Sequence, residues 1–258
     1  MARAWTRNEI LIALNLYCQL PFGKLHQSNP LIIKIARLLE RTPGSVAMKL
    51  SNLASLDPEI TASGRKGLEG ASGLDKAVWS EFINNPDALS VESQQLMDDL
   101  VGGGDTSGLS SDADVIPVAA PTEATTTSQS TIKIRRGQAF FRKAVLASYD
   151  SACCMSNLRV RQLLVASHIK PWSADIQNRL NPKNGLCLSA LHDRAYDLGY
   201  ISVKPDLSIA ISKELAADQS GLAMHALKAL DGHKIRLPEK FPPSPDFLDW
   251  HHKNIFLG

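Results

Sequence analysis

Residues 101–131, VGGGDTSGLSSDADVIPVAAPTEATTTSQST, set the frame for everything else in this 258-residue chain. Gly, Ser, Thr, Pro and acidic residues fill the stretch, and few of its side chains could join a core. Burial therefore cannot offset the entropy of ordering it. A segment of that composition reads as a disordered, acidic linker. It leaves two parts that must each build a core of their own, residues 1–100 and residues 132–258. Charge follows the same division. Residues 1–70 carry nine Lys/Arg against five Asp/Glu, residues 71–131 one against ten, and residues 132–258 eighteen against eleven, which leaves +2 over the whole chain. Two basic ends around an acidic middle suit a protein whose ends both meet a polyanion.

No apolar run approaches the length that spans a bilayer, and MARAWTRNEI lacks the features of a secretory signal, so no membrane is expected as a partner and the cytoplasm is the expected compartment. Cys18, Cys153, Cys154 and Cys187 show no CxxC spacing, which argues against a zinc ribbon or a thioredoxin motif and for reduced, buried thiols.

The first part reads as all-helical. Thr6 and Glu9 have the form of a capping box ahead of Ile10, Leu11, Ala13, Leu14, Tyr17 and Cys18. Asn29-Pro30 and Thr42-Pro43 each pair a cap residue with proline at the first helical position. Three short helices entered this way, with Trp5 near the start of the first, resemble a helix-turn-helix of the Myb/SANT type. That resemblance implies a third helix in the major groove, with Arg41 and Lys49 as DNA contacts and Ser45, Ser51 and Asn52 beside them. A plain helical bundle is the other reading. TASGRKGLEGASG is either a phosphate-contacting loop or an ordinary connection, and LDKAVWSEFINNP reads as a further helix with Leu74, Val78, Trp79 and Phe82 inward.

The second part opens on a helical pattern with basic residues on its outer side, IKIRRGQAFFRKAVLASYD. LLVASHI and GLCLSAL read as strands flanking the polar loop KPWSADIQNRLNPKNG, and the short helix LHDRAYDLG follows, stopped by its glycine. YISVKPDLSIAIS reads as a hairpin bent at Pro205-Asp206. The fold class is therefore α+β. On the short helix Asp193 and Asp197 are four residues apart and share a face, while His192 points about a hundred degrees away. Two such carboxylates are either a solvated face or half of a metal site. Singly, His168 reads as a core histidine, Asn184-Gly185 as a turn pair, and His251-His252 as structural or surface residues.

ASHIKPW, NGLCLSALHD and AYDLGYI, in that order, resemble the HNH endonuclease family, in its restriction-endonuclease branch. The resemblance covers residues 132–258 and takes in RRGQAFFR. It implies a ββα-metal fold acting on DNA, with His168 as general base, Asn184 bracing the loop behind it, and Asp193 and Asp197 in the places of the helix-borne metal ligands, His192 being the alternative to Asp193. Oxygen ligands favour Mg²⁺ or Mn²⁺. Ser167 stands where many members carry an acid or a second histidine. Lys170, Lys183, Arg179 and Arg194 surround the motif as candidate phosphate contacts. The departures keep a second class in play, a DNA-binding regulator whose HNH domain is inactive, and a third, action on RNA or on modified bases. Double-stranded DNA is the expected partner, and a homodimer is left open.

Overall fold

The computed structural model describes residues 3–65, 67–102 and 128–258. Most of the span read as a linker, residues 103–127, lies outside the described residues. The chain divides into two compact units, Met1–Phe140 and Phe141–Gly258.

In the first unit α1 (Arg7–Gln19), α2 (Pro30–Leu38), α3 (Pro43–Leu56), α4 (Pro58–Ala62), α5 (Gly73–Asn84) and α6 (Pro86–Val101) follow one another. The starts are those the cap residues dictate: Thr6 and Glu9 close a reciprocal capping box on α1, and Asn29 and Thr42 cap α2 and α3 with proline at the first turn. Every residue of α1 from Glu9 to Cys18 is buried, because α3, α5 and α6 all pack against it. Within that packing Asn15 donates to Ser93 Oγ and Gln94 Oε1 on α6, and the Tyr17 hydroxyl donates to Asp57 at 2.6 Å. Val78, Trp79 and Phe82 turn inward on α5 as expected, whereas Leu74 turns out and is 39% exposed.

The structure corrects the expectation that α3 presents Arg41 and Lys49 to DNA. Lys49 is buried, and its ammonium sits 2.8 and 2.9 Å from the two carboxylate oxygens of Asp75, a residue with no exposed surface. Arg41, just ahead of α3, makes a bidentate pair with Glu9 at 2.9 and 3.0 Å. Both cations lie over the Trp5 ring, 4.1 and 5.0 Å from its centroid. The glycine-rich stretch also packs on α3: Leu68 N donates to Ser51 O, and a Cβ on Gly67 would collide with the backbone of Ser51 and Ser55. The two cations therefore hold the bundle together rather than facing a ligand.

Helix α7 (Ser128–Ser148) begins inside the span read as linker and crosses the division between the units. In the second unit β1 (Leu164–His168) and β2 (Gly185–Ser189) pair antiparallel, Leu164 opposite Ser189 and His168 opposite Gly185. Helix α8 (Ala190–Asp197) follows directly, capped by Ser189, and packs on both strands. The ββα order expected from sequence is thus present, and the fold is α+β. The hairpin β3 (Ile201–Val203) and β4 (Ile209–Ile211), α9 (Lys213–Ala217) and α10 (Pro245–Asn254) complete the unit. Gly199 ends α8 at φ +78°, where a Cβ would strike the carbonyl of Ile255, and its own carbonyl accepts from Leu257 N at 3.0 Å. Gly185, read from sequence as half of a turn pair, has an ordinary extended φ of −128°. What it supplies is room: a Cβ there would meet Val145 and, at 2.9 Å, the Phe141 ring. Among the described residues no helix is long and apolar enough to cross a membrane.

Removing one member of a buried ion pair leaves the other charge uncompensated. Asp75→Ala is therefore expected to destabilise the helical unit by about 3–5 kcal/mol in urea unfolding followed by circular dichroism.

Candidate active site

His168 is the last residue of β1, so strand alternation sends its side chain to the face opposite that of Ser167. The imidazole stacks on Phe141 of α7, centroids 4.1 Å apart and planes 4° from parallel, and meets Trp172 edge-on at 5.7 Å. Its Nε2 lies 2.8 Å from the Arg179 carbonyl oxygen. A carbonyl only accepts, so Nε2 carries the hydrogen of the neutral ring and Nδ1 keeps the lone pair. Nδ1 has no hydrogen-bond partner among the described residues. Burial pushes the His168 pKa below its ordinary value against the opposing pull of the Arg179 carbonyl, which keeps the ring neutral near pH 7.

Asn184, 1% exposed, closes the loop between the strands. Its Oδ1 accepts from Lys170 N at 2.8 Å, and its Nδ2 donates to the carbonyls of Lys170 and Asn178 at 3.2 and 3.1 Å. The loop is cross-linked further from within. Asn178 donates to both oxygens of Asp175, and Arg179 Nε donates to the Trp172 carbonyl at 2.7 Å. Lys170 and Arg179, expected to face phosphate, are engaged in this framework. The Lys170 ammonium pairs with Asp175 at 2.8 Å and lies over the Phe247 and Trp250 rings of α10, and the Arg179 guanidinium covers Trp172. Arg194 differs: it is exposed on α8, and its charge reaches both Asp193 and Asp197.

The two aspartates share a face of α8, one turn apart. Burial raises the Asp193 pKa, moderated by Ser167 and Arg194. Burial, and then the charge of Asp193, push Asp197 up to about 6 although much of that residue is at the surface. Beneath them the Ser167 hydroxyl, 3% exposed, lies close enough to favour ionised Asp193 yet completes no hydrogen bond of ordinary geometry. Two crowded carboxylates and an unpartnered buried hydroxyl form an oxygen-donor set that fits a hard divalent cation with water completing its shell. Among the described residues no three His, Cys, Asp or Glu side chains converge as a ready-made metal cage.

The alternative ligand His192 turns elsewhere. Its Nδ1 is 3.0 Å from Ser189 Oγ and 3.4 Å from Cys153 Sγ, and its Nε2 donates to the Ala226 carbonyl at 3.0 Å. Both ring nitrogens serve the interior, which corrects its placement among the metal ligands. This contact was not legible in the sequence, where Cys153 carries no spacing signal toward His192. Burial raises the Cys153 thiol, but bonds to His192 and Ser156 outweigh it and bring the pKa to about 6. His251 stacks on Tyr196 at 3.7 Å, donates to the Tyr196 carbonyl and accepts from Ser202 Oγ, a packing role that holds α8 against β3.

With Asp197 raised in the folded chain above its unfolded value near 3.9, the folded state binds the extra proton, and ionisation costs stability as pH rises from about 4 to about 6. Asp197→Asn is therefore expected to melt higher than the parent above pH 6 in EDTA, with the two melting temperatures converging below pH 4.

Residues 153–204 match the profile of a family described as HNH endonuclease, a stretch that runs from Cys153 through β1, the cross-linked loop, β2 and α8 to the end of the first strand of the following hairpin. No curated protein matches the chain.

Proposed function

We propose that this chain is a metal-dependent endonuclease that hydrolyses phosphodiester bonds in double-stranded DNA. The observation that carries the reading is the occurrence, within the HNH-matching stretch, of a neutral histidine with a free Nδ1 and of a helix face bearing two carboxylates whose pKa values are raised by burial, that of Asp197 also by the charge of Asp193.

The reaction needs a water stripped of a proton, a counter-charge at the phosphate and relief for the departing 3′ oxygen. His168 Nδ1 takes the proton from the attacking water. The Arg179 carbonyl, hydrogen-bonded to Nε2–H, stabilises the imidazolium that forms. Asn184 keeps that carbonyl in place by tying the loop to the exit of β1. Asp193 and Asp197 would hold Mg²⁺ or Mn²⁺, which when bound supplies positive charge to the phosphate and the leaving oxygen. Arg194, exposed next to them, contacts the phosphate backbone. In this reading the helical module, residues 1–100, is a second DNA-holding element joined through 101–131, which raises the local concentration of the nuclease at its target. Its contacts come from surface cations such as Lys34 and Arg37 on α2, both exposed, rather than from Arg41 and Lys49. A single such site cuts one strand per visit, so cutting both calls for a second subunit or a second encounter.

One observation favours a second reading. Ser167 in place of an acid leaves two carboxylates instead of a fuller cage, as an inactive DNA-binding regulator would have it.

Supercoiled plasmid incubated with Mg²⁺, Mn²⁺ or EDTA separates the two. The nuclease reading expects metal-dependent nicking that falls about 10²- to 10⁴-fold in His168→Ala and is lost in Asp197→Ala. DNA binding with no nicking under any metal would favour the regulator or a requirement for modified DNA, and nicking that survives both substitutions would place the chemistry elsewhere.

A further inference from the structure

We infer that Phe141 is a positioning residue for His168, and that α7 is consequently part of the catalytic unit although it lies outside the stretch that matches the HNH family. The inference rests on the nuclease reading and assigns a role to a side chain that reading does not use.

A histidine at a strand end has one soft torsion at its ring, because rotation about the bond to an sp² ring is broad and roughly two-fold. The bond from Nε2 to the Arg179 carbonyl fixes one ring atom and leaves the ring free to swing about that contact. Phe141 removes this freedom: its ring lies flat against the imidazole at 4.1 Å and 4°. Trp172, edge-on at 5.7 Å, bounds the ring on another side, and is itself held where Arg179 Nε bonds its carbonyl and the guanidinium covers its indole. One residue thus supplies both the acceptor for Nε2 and the support for the bounding wall.

Three further features serve this placement of Phe141 under the imidazole. Gly185, paired with His168 across the hairpin, has no Cβ, and a Cβ there would press on the Phe141 ring. Arg142, the next residue, donates to the Leu164 carbonyl at 2.9 Å, which fixes α7 to the start of the strand whose end carries His168. Val145, one turn on from Phe141, is the other side chain that needs the bare Gly185. A ring that merely filled core volume would need neither the parallel stacking nor the missing Cβ opposite. The consequence is that the lead-in RRGQAFFR, read from sequence as a basic helix, delivers a side chain to the nuclease centre.

The test uses the full chain. Phe141→Leu and the volume-conserving Phe141→Met remove the flat face while keeping the site apolar, and Phe140→Leu, one residue earlier and equally buried, serves as the packing control. In plasmid nicking the two Phe141 variants are expected to lose about ten- to a hundredfold in kcat with KM for DNA unchanged, while Phe140→Leu loses stability without that loss. Side-chain ¹⁵N spectra of His168 provide a readout independent of cleavage. The parent should show a single Nε2-protonated tautomer, and the Phe141 variants a broadened or averaged one. A parent that fails to nick DNA would sink the nuclease reading while the spectra still decide the positioning. Parent-like kcat and parent-like His168 spectra in either folded Phe141 variant would overturn the inference, as would an equal loss of kcat in Phe140→Leu.

Discussion

The carboxamide of Asn184 is the point on which the second unit depends. It is almost fully buried and satisfies three backbone groups of the loop between β1 and β2. Loops seldom run with buried polar backbone, because each unpaired group costs free energy comparable to a lost hydrogen bond. An asparagine can satisfy both kinds at once, accepting at one atom and donating at the other. No apolar side chain of similar size could close this loop. An aspartate would accept from Lys170 N but would set its second oxygen against two carbonyls. Everything the loop then does follows: the Arg179 carbonyl faces His168, Trp172 stands beside the ring, and Lys170 is drawn under α10.

The carboxylate pair on α8 works in the opposite sense. Asn184 is fully satisfied by the chain, whereas Asp193 and Asp197 are not: each is desolvated, the charge of Asp193 adds to the cost of ionising Asp197, and the Ser167 hydroxyl beside Asp193 is left without a partner. Sites of this kind are less stable empty than a neutral substitute would be, and that deficit is what gives a bound cation something to relieve. Strand β2 alone links the rigid loop to that helix face along the chain, running from Gly185 to the Ser189 cap of α8.

Local patterns made the ββα order legible. Two apolar runs around a polar loop, a capping serine and a stopping glycine are signals carried by neighbouring residues. The shared face of Asp193 and Asp197 and the divergence of His192 also follow from helix geometry alone, and the structure sends His192 to Cys153 and Ala226. What was not legible depends on partners remote in sequence. Arg41 and Lys49 read as surface cations because Glu9 and Asp75, which bury them, lie on other helices. The pairing of Lys170 with Asp175 and of Arg179 with the Trp172 carbonyl was hidden for a related reason: a basic residue in a polar loop looks free until the loop is seen to bond to itself. Phe141 gave a helical periodicity and nothing more, since a ring on α7 that faces another ring on β1 leaves no local trace.

The stop at Gly199 bears on when such a site can exist. The last turn of α8, with Asp197 in it, is seated by residues that are synthesised well after it: His251 stacked on Tyr196, the Ile255 carbonyl against Gly199, and the Leu257 amide on the Gly199 carbonyl. A nascent chain that already carries His168, Asp193 and Asp197 lacks these contacts to that turn until residues 251–257 have left the ribosome. Translation order thereby works as a timer, and a chain stalled before that point carries the residues of the site without their final arrangement.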